Sequence, residues 1–261
     1  MTYNVFQVDA FTDQVFGGNP AAVVPMDQWL PDTELQNIAM ENNLSETAFF
    51  IPEGNSYHIR WFTPDVEVDL CGHATLATSH VLFKHLGYTG SQLQFKSRSG
   101  QLTVRKADDK YVLNFPSDKP VEQRSIVKIS GCFEREPVAV FKGRADYLFV
   151  FEDEQFVRNA IPNLDVIKKL DAEGVIITAP GTDGIDFVSR FFAPQLGIPE
   201  DPVTGSAHTV LVPYWAERLQ KKEFLAHQVS KRGGELVCKY LGERCEIAGS
   251  ARTYLEGTIV L

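Results

Sequence analysis

Two short polar stretches hold the residues best suited to chemistry. "NLSETAFF" places Glu46 directly before an apolar run, and "EDPVTGSAHT" groups Asp201, Ser206 and His208. Apolar surroundings disfavour the charged form of a carboxylate, which suits a general acid/base, although a solvated residue at a strand start would show the same pattern. The second stretch suggests a hydrolytic triad, an anion-binding helix start or an ordinary turn and cap.

Hydrolysis and metal binding are poorly supported by the spacing of these residues. Ser206 and His208 lie two apart at a predicted helix start, so their side chains diverge, and the chain has no G-x-S-x-G motif. His73 remains as a distant base, which leaves hydrolysis as a weak alternative. The six histidines form no H-x-x-x-H pair beside carboxylates, so we expect no metal.

Cys71 is a rival base, because thiol racemases use two cysteines, one on each face of the α-carbon. The corresponding position in the second half of the chain is Thr204, which argues against a two-thiol racemase. A lone cysteine before an apolar helix is more often a small core residue. The four cysteines show no CxxC or zinc spacing, so we expect reduced thiols in a cytoplasmic protein.

Composition indicates a globular protein with small-molecule partners. The 261 residues are 44% hydrophobic, and the formal net charge is -9. This charge argues against binding to nucleic acid or an anionic membrane, which requires clustered Lys and Arg. No apolar run approaches the ~20 residues of a membrane span, and the start "MTYNVFQVDAF" lacks the features of a signal peptide.

The order of predicted elements repeats, which favours a duplicated α+β protein. Each half is predicted to contain strand, strand, helix, strand, strand, helix and then further strands. The aromatic–Phe–x–Pro strand ends begin at Trp61 and Phe191, so they are separated by 130 residues. We therefore predict one half over 1–117, with 252–261 as a candidate closing strand, and another over 118–251.

Each half carries a glycine at the start of a strongly apolar helix, at Gly72–His73 and at Gly205–Ser206. The first N–H groups of a helix lack internal partners, and the dipole places partial positive charge there. Such a start could hold a substrate carboxylate and make the adjacent carbon more acidic, which suits proton abstraction. A simple helix cap is the alternative, and Asp32 is predicted to cap an earlier helix.

Four motifs together resemble those of the PhzF family, the phenazine-biosynthesis isomerases and their relatives. They are "VDAFTDQVFGGNPAAVV", "NLSETAFF", "FTPDVEVDLCGHAT" and "EDPVTGSAH", spread from residue 8 to about residue 215. The resemblance implies the fold of diaminopimelate epimerase. That fold has two pseudo-symmetric domains, each a curved sheet or barrel around a central helix, with the active site between them.

The resemblance also implies roles for individual residues. Glu46 matches the glutamate that shuttles the proton, while His73 and Asp201 match the other catalytic positions. The expected substrate-binding residues are Asn19, Gly72, Gly205 and Ser206. His208 is then expected to be a packing residue of the helix.

The function implied is a cofactor-independent isomerase or epimerase that moves a proton on a small carboxylate, in a cytoplasmic homodimer. The phenazine substrate is a minority expectation, because most relatives belong to organisms that make no phenazine. A catalytically silent ligand-binding or interaction protein on the same fold is the alternative. Retention of the glutamate, histidine, aspartate and serine of the motifs favours the enzyme.

Overall fold

The computed structural model describes residues 1–123 and 129–261, which form eighteen β-strands and five α-helices. The strands are β1 (Thr2–Ala10), β2 (Asn19–Pro25), β3 (Glu46–Glu53), β4 (Ser56–Phe62), β5 (Glu67–Val68), β6 (Gln92–Ser97), β7 (Gly100–Ala107), β8 (Lys110–Pro116), β9 (Val121–Glu122), β10 (Ala139–Lys142), β11 (Asp146–Val150), β12 (Gly174–Pro180), β13 (Phe187–Ala193), β14 (Ile198–Asp201), β15 (Glu223–Gln228), β16 (Gly234–Tyr240), β17 (Arg244–Gly249) and β18 (Ala251–Val260). The helices are α1 (Asp32–Asn42), α2 (Gly72–Lys84), α3 (Glu154–Asn159), α4 (Leu164–Ile167) and α5 (Gly205–Leu219).

Backbone contacts divide the chain into two compact units. Unit 1 comprises residues 1–114 and 248–261, and unit 2 comprises residues 115–247. The sequence predicted halves of 1–117 with 252–261, and 118–251. No helix among the described residues is long and apolar enough to cross a membrane.

Unit 1 is a mixed sheet with two parallel steps, each bridged by a helix. Strand β1 is antiparallel to β2 and to β18, and β2 is parallel to β3 across α1. Strand β4 is antiparallel to β3 and β5, and parallel to β6 across α2. A meander of β6, β7 and β8 follows. Parallel pairing requires such crossover connections, which places the helices against the sheet.

Unit 2 repeats the same order of pairings. Strands β10 and β11 are antiparallel, and β11 is parallel to β12 across α3 and α4. Strand β13 is antiparallel to β12 and β14, and parallel to β15 across α5, after which β15 and β16 form a hairpin. The predicted α+β duplication is therefore confirmed, because antiparallel and parallel steps follow one another identically in both units.

Strand register makes the repeat residue-specific. Trp61 pairs with the third residue of β3, and Phe191 pairs with the third residue of β12. The spacing of 130 residues between these aromatics is therefore a structural equivalence. Glu46 and Gly174, the first residues of β3 and β12, consequently occupy matching positions in the two units.

The central helices are buried on nearly every side. In α2, all residues from His73 to Leu82 are buried, so the surrounding sheet must curve around the helix. Helix α5 contains Pro213, which cannot donate to the carbonyl of Thr209 one turn earlier. That carbonyl instead accepts from the backbone N–H of Asp118 at 3.0 Å, so the proline leaves no unsatisfied acceptor at this position.

The shorter helices cover the other faces of the sheets. In unit 1, Leu35 and Ile38 of α1 pack against Phe49 and Phe62 of the sheet. In unit 2, α3 and α4 contribute to a larger apolar cluster built on β11, β12 and β13. Two-sided coverage explains why these central strands read as continuous apolar runs rather than as alternating patterns.

The predicted cap of α1 is wrong. Pro31, rather than Asp32, occupies the N-cap position, and no side chain caps this end of the helix. The proline supplies an extended backbone before the helix, so Asp32 becomes the first helical residue, where its negative charge still favours the dipole. Its carboxylate lies 2.9 Å from Nη2 of Arg60.

Candidate active site

Glu46 and His73 are brought together by one strand start and one helix start. Glu46 is the first residue of β3, directly before the buried residues 47–50. His73 is the second residue of α2, whose N-cap is Cys71. Because β3 and α2 lie in the same unit and pack on each other, the two side chains meet inside it.

The carboxylate and the imidazole form a close buried pair. Oε2 of Glu46 lies 3.1 Å from Nε2 of His73. Glu46 is 9% exposed and His73 is 4% exposed. Neither atom has a hydrogen bond of good geometry to any described residue. Buried polar atoms are almost always satisfied, so two unsatisfied atoms side by side mark a place where another group is expected to bind.

The other ring nitrogen of His73 contacts two side chains. Nδ2 of Asn19 lies 3.2 Å from Nδ1, and Sγ of Cys71 lies 3.5 Å from the same atom. Asn19 is fully buried at the start of β2, and its Oδ1 accepts a hydrogen bond from the hydroxyl of Ser45 at 3.2 Å. A continuous chain therefore runs from Ser45 through Asn19 and His73 to Glu46.

Opposing effects act on the pKa of His73. Burial lowers it, but the negative charges of Cys71 and Glu46 outweigh burial and raise the pKa of His73 well above its ordinary value. The Cys71 thiol is neutral near pH 7, as shown below, so its charge does not contribute there. At neutral pH, the carboxylate of Glu46 is the charge that favours a protonated ring.

Cys71 is poorly suited to act as a base. Burial, followed by the charge of Glu46, raises the pKa of its thiol to about 11. The thiolate is the nucleophilic and basic form, so a thiol with this pKa is almost entirely protonated at pH 7. Glu46 is therefore the better base of the two.

The donor atoms of Glu46, Cys71 and His73 all lie within 4.8 Å of one another. Thiolate, imidazole and carboxylate are all zinc ligands. The ring, however, turns Nδ1 toward Cys71 and Nε2 toward Glu46, and one ion can bind only one of these nitrogens. The observed contacts have the arrangement of a proton relay.

The other predicted residues lie in unit 2, around the start of α5. Asp201 ends β14 and is 7% exposed, and its Oδ2 accepts from the hydroxyl of Thr204 at 2.5 Å. Gln228 donates to the backbone carbonyl of Asp201 at 2.8 Å and accepts from the N–H of Thr204 at 2.8 Å. These bonds hold the turn that leads into Gly205, the first residue of α5.

Ser206 and His208 do not form a nucleophile–base pair in the described contacts. Ser206 is exposed, whereas His208 is fully buried and places Nδ1 2.8 Å from the carbonyl of Thr204. Burial lowers the pKa of His208 to about 4, so its ring is neutral at pH 7. In α2, the hydroxyl of Thr75 makes the same bond to the carbonyl of Cys71. The predicted packing role of His208 is thus confirmed.

Sequence reasoning missed two supporting residues. Ser45 directly precedes Glu46, and its place in the motif was a signal that its hydroxyl has a function. Gln228 lies in β15, far from Asp201 in the sequence, and only the fold brings it to the turn. Cys71 was noticed, but its proximity to His73 depends on the N-cap geometry of α2.

The duplicated curved sheets and the buried carboxylate–imidazole pair define an isomerase with an epimerase-like fold. The PhzC-PhzF family model, described as phenazine biosynthesis-like protein, matches residues 8–257. An uncharacterized isomerase of Pseudomonas aeruginosa is 50% identical over 261 residues, covering 100% of both chains. The chain belongs to the PhzF family, as its motifs predicted.

Solved structures agree with this assignment. The crystal structure of a PhzF-family phenazine biosynthesis protein from Enterococcus faecalis has a TM-score of 0.97 and 47% identity, with 100% of both chains covered. A predicted epimerase from Pseudomonas aeruginosa has a TM-score of 0.73 and 20% identity, with 99% of each chain covered. The second likeness concerns the fold alone, and it confirms the predicted epimerase-like architecture.

Proposed function

We propose that this isomerase moves a proton between two carbons of a small carboxylate substrate, without a cofactor and with Glu46 as the general acid/base. The observation that carries the proposal is the buried pair of Glu46 Oε2 and His73 Nε2, 3.1 Å apart and both without a good hydrogen bond among the described residues. A substrate placed beside this pair would meet a carboxylate oxygen that can take a proton and a ring nitrogen that can donate a hydrogen bond.

The chemistry balances without an oxidant or a second substrate. The carboxylate of Glu46 takes a proton from the substrate, so that a C–H bond breaks and an O–H bond forms on Glu46. The electron pair left behind enters the conjugated system next to the substrate carboxylate. Glu46 then returns the proton to a different carbon, which regenerates the carboxylate and yields an isomer.

Helix starts would hold the charge of the substrate. Helix α2 begins at Gly72 and helix α5 at Gly205, and neither has a side chain capping its first N–H groups. Amides at a helix start, together with the helix dipole, favour a bound anion. We assign Gly72, Gly205 and Ser206 to carboxylate binding.

Two further assignments rest on the family motifs. Asp201, with its ordered carboxylate, is assigned to catalysis as the second acidic group of the site. Asn19 is assigned to substrate binding, and its described contacts connect it to the site through His73.

The shuttle occurs once in the duplication. Gly174 occupies the position in unit 2 that Glu46 occupies in unit 1, and a Cβ at Gly174 would lie 2.4 Å from Cζ of Phe191. The ring of Phe191 fills the space that a larger residue would need. Together with Thr204 in place of a second cysteine, this supports one acid/base that removes and returns the proton from the same side. A hydrogen shift fits that arrangement better than inversion at one carbon, which needs an acid on each face.

Deuterium exchange tests the proposal. The enzyme is incubated in D2O with a panel of small amino and cyclic carboxylic acids, and uptake is read by mass spectrometry. General acid/base catalysis contributes roughly 100- to 10,000-fold, so Glu46→Gln is expected to reduce uptake by that range.

Glu53→Gln is the matched control, because Glu53 lies on the same strand but is exposed and pairs with Lys96. This variant should exchange at the wild-type rate. Uptake that persists unchanged in Glu46→Gln would show that another residue is the base, and the proposal would be wrong.

We also propose a cytoplasmic homodimer. All four cysteines are buried free thiols, as expected in a reducing compartment. The dimer rests on the family resemblance, and sedimentation velocity of the purified protein would reveal a monomer if that expectation is wrong.

A further inference from the structure

Two hydrogen-bond donors converge on Nδ1 of His73. The side-chain nitrogen of Asn19 lies 3.2 Å from this atom, and an amide NH2 group can only donate. The sulfur of Cys71 lies 3.5 Å away, and its thiol keeps its proton at neutral pH because burial raises its pKa to about 11. Both neighbours therefore favour a ring nitrogen that accepts.

The orientation of the Asn19 amide is set by Ser45. The hydroxyl of Ser45 donates to Oδ1 of Asn19 at 3.2 Å, which leaves Nδ2 facing the ring. Asn19 is fully buried at the start of β2, so its side chain has little room to turn. Packing and one hydrogen bond thus hold the donor in place.

We propose that Asn19 is a positioning residue that keeps Nδ1 of His73 as an acceptor, so that the ring proton resides on Nε2, 3.1 Å from Glu46. The proposal rests on the proposed role of Glu46 and adds to it the residue that sets the tautomer of the histidine. Asn19 thereby acts through His73, in addition to any contact with substrate.

This arrangement prepares the site for proton removal. With its proton on Nε2, a neutral ring presents a donor beside Glu46 and leaves the glutamate as an ionised carboxylate. An imidazolium would carry a second proton on Nδ1, directed at the N–H of Asn19. That donor–donor contact opposes the effect of the Glu46 charge and keeps the ring from being locked in its charged form.

Nitrogen NMR of the histidine rings tests the assignment without any substrate. The protein is labelled with 15N-histidine, and the signals of His73 are assigned by their loss in His73→Asn. In the wild type near pH 7, we expect Nε2 to be protonated and Nδ1 to be unprotonated.

In Asn19→Asp, the side chain keeps its shape but becomes a charged acceptor. An opposite charge at this distance raises a histidine pKa by roughly 1–3 units, so the titration midpoint of His73 should rise by at least one pH unit, with Nδ1 protonated. Asn42→Asp is the matched control, because Asn42 lies in unit 1 and donates to Thr47 rather than to His73. It should leave the His73 signals at their wild-type positions.

Two results would overturn the proposal: a protonated Nδ1 in the neutral ring of the wild type, or a titration midpoint that Asn19→Asp leaves unchanged. If Asn19→Asp fails to fold, Ser45→Ala provides the test, because loss of the hydroxyl frees the Asn19 amide. The neutral ring should then populate both tautomers, and an unchanged single tautomer would count against Asn19. The role of Glu46 is tested separately by deuterium exchange in Glu46→Gln.

Discussion

Asp146 should make unit 2 less stable as the pH rises. It is the first residue of β11, is 8% exposed, and lies beside Gly174. Burial, followed by the charges of Glu173 and Asp118, raises the pKa of Asp146 to about 7 from its ordinary 3.8. The folded state therefore binds a proton more tightly than the unfolded state, and ionisation of Asp146 destabilises the fold.

The magnitude follows from the two pKa values. One pKa unit corresponds to 1.36 kcal/mol, so the cost of Asp146 is about 0.6 kcal/mol at pH 4 and about 4 kcal/mol at pH 8. The loss develops between pH 4 and pH 7, as the unfolded chain releases a proton that the folded protein retains. Asp146→Asn keeps the shape and an acceptor for the Gly174 N–H, but it removes the ionisable group.

Urea unfolding at pH 4 and pH 8 measures this difference. Asp146→Asn should be more stable than the wild type by about 4 kcal/mol at pH 8, and nearly equal to it at pH 4. Asp171→Asn is the control, because the Asp171 side chain is 97% exposed, and its effect should not change with pH. An Asp146→Asn effect that is the same at both pH values would refute the reasoning.

Three other variants or measurements test neighbouring claims. His73→Asn should reduce deuterium exchange by roughly 100-fold or more, since it removes the ring beside the proposed base, and full activity would contradict the pairing. Gly174→Ala should lower the free energy of unfolding by about 1–3 kcal/mol, because the new Cβ meets the ring of Phe191 at 2.4 Å, whereas Gly257→Ala, whose nearest contact is 3.6 Å, should be milder. Cys71 should react slowly with iodoacetamide in the folded protein and quickly in urea, as a buried thiol with a pKa of about 11 requires; rapid labelling of the folded protein, read by peptide mass spectrometry, would refute this.

The architecture was accessible from the sequence because its signals are local and repeated. The apolar runs of the central helices and the aromatic–proline strand ends at Trp61 and Phe191 recur at the same interval. Burial of both helices on nearly every side explains why their apolar character is so strong. The motif that contains Glu46 was also readable, since a charged residue directly before a buried strand is conspicuous.

Contacts that depend on the fold were not accessible. The cap of α1 was assigned to Asp32 because aspartate favours that position, but Pro31 sets the helix start one residue earlier. Nothing local to Asp146 shows that β11 buries it beside two other acids. The amide of Asn19 reaches His73 only because the register of β2 and β3 places them beside α2.

The central claim is that Glu46 alone removes and returns the proton. Its most direct test uses the substrate found by exchange, labelled with deuterium at the carbon that loses its hydrogen and turned over once in H2O. The account predicts that part of the deuterium appears in the product at the new carbon, on the same face from which it was removed. Deuterium or solvent hydrogen delivered to the opposite face would require a second acid and would contradict the account.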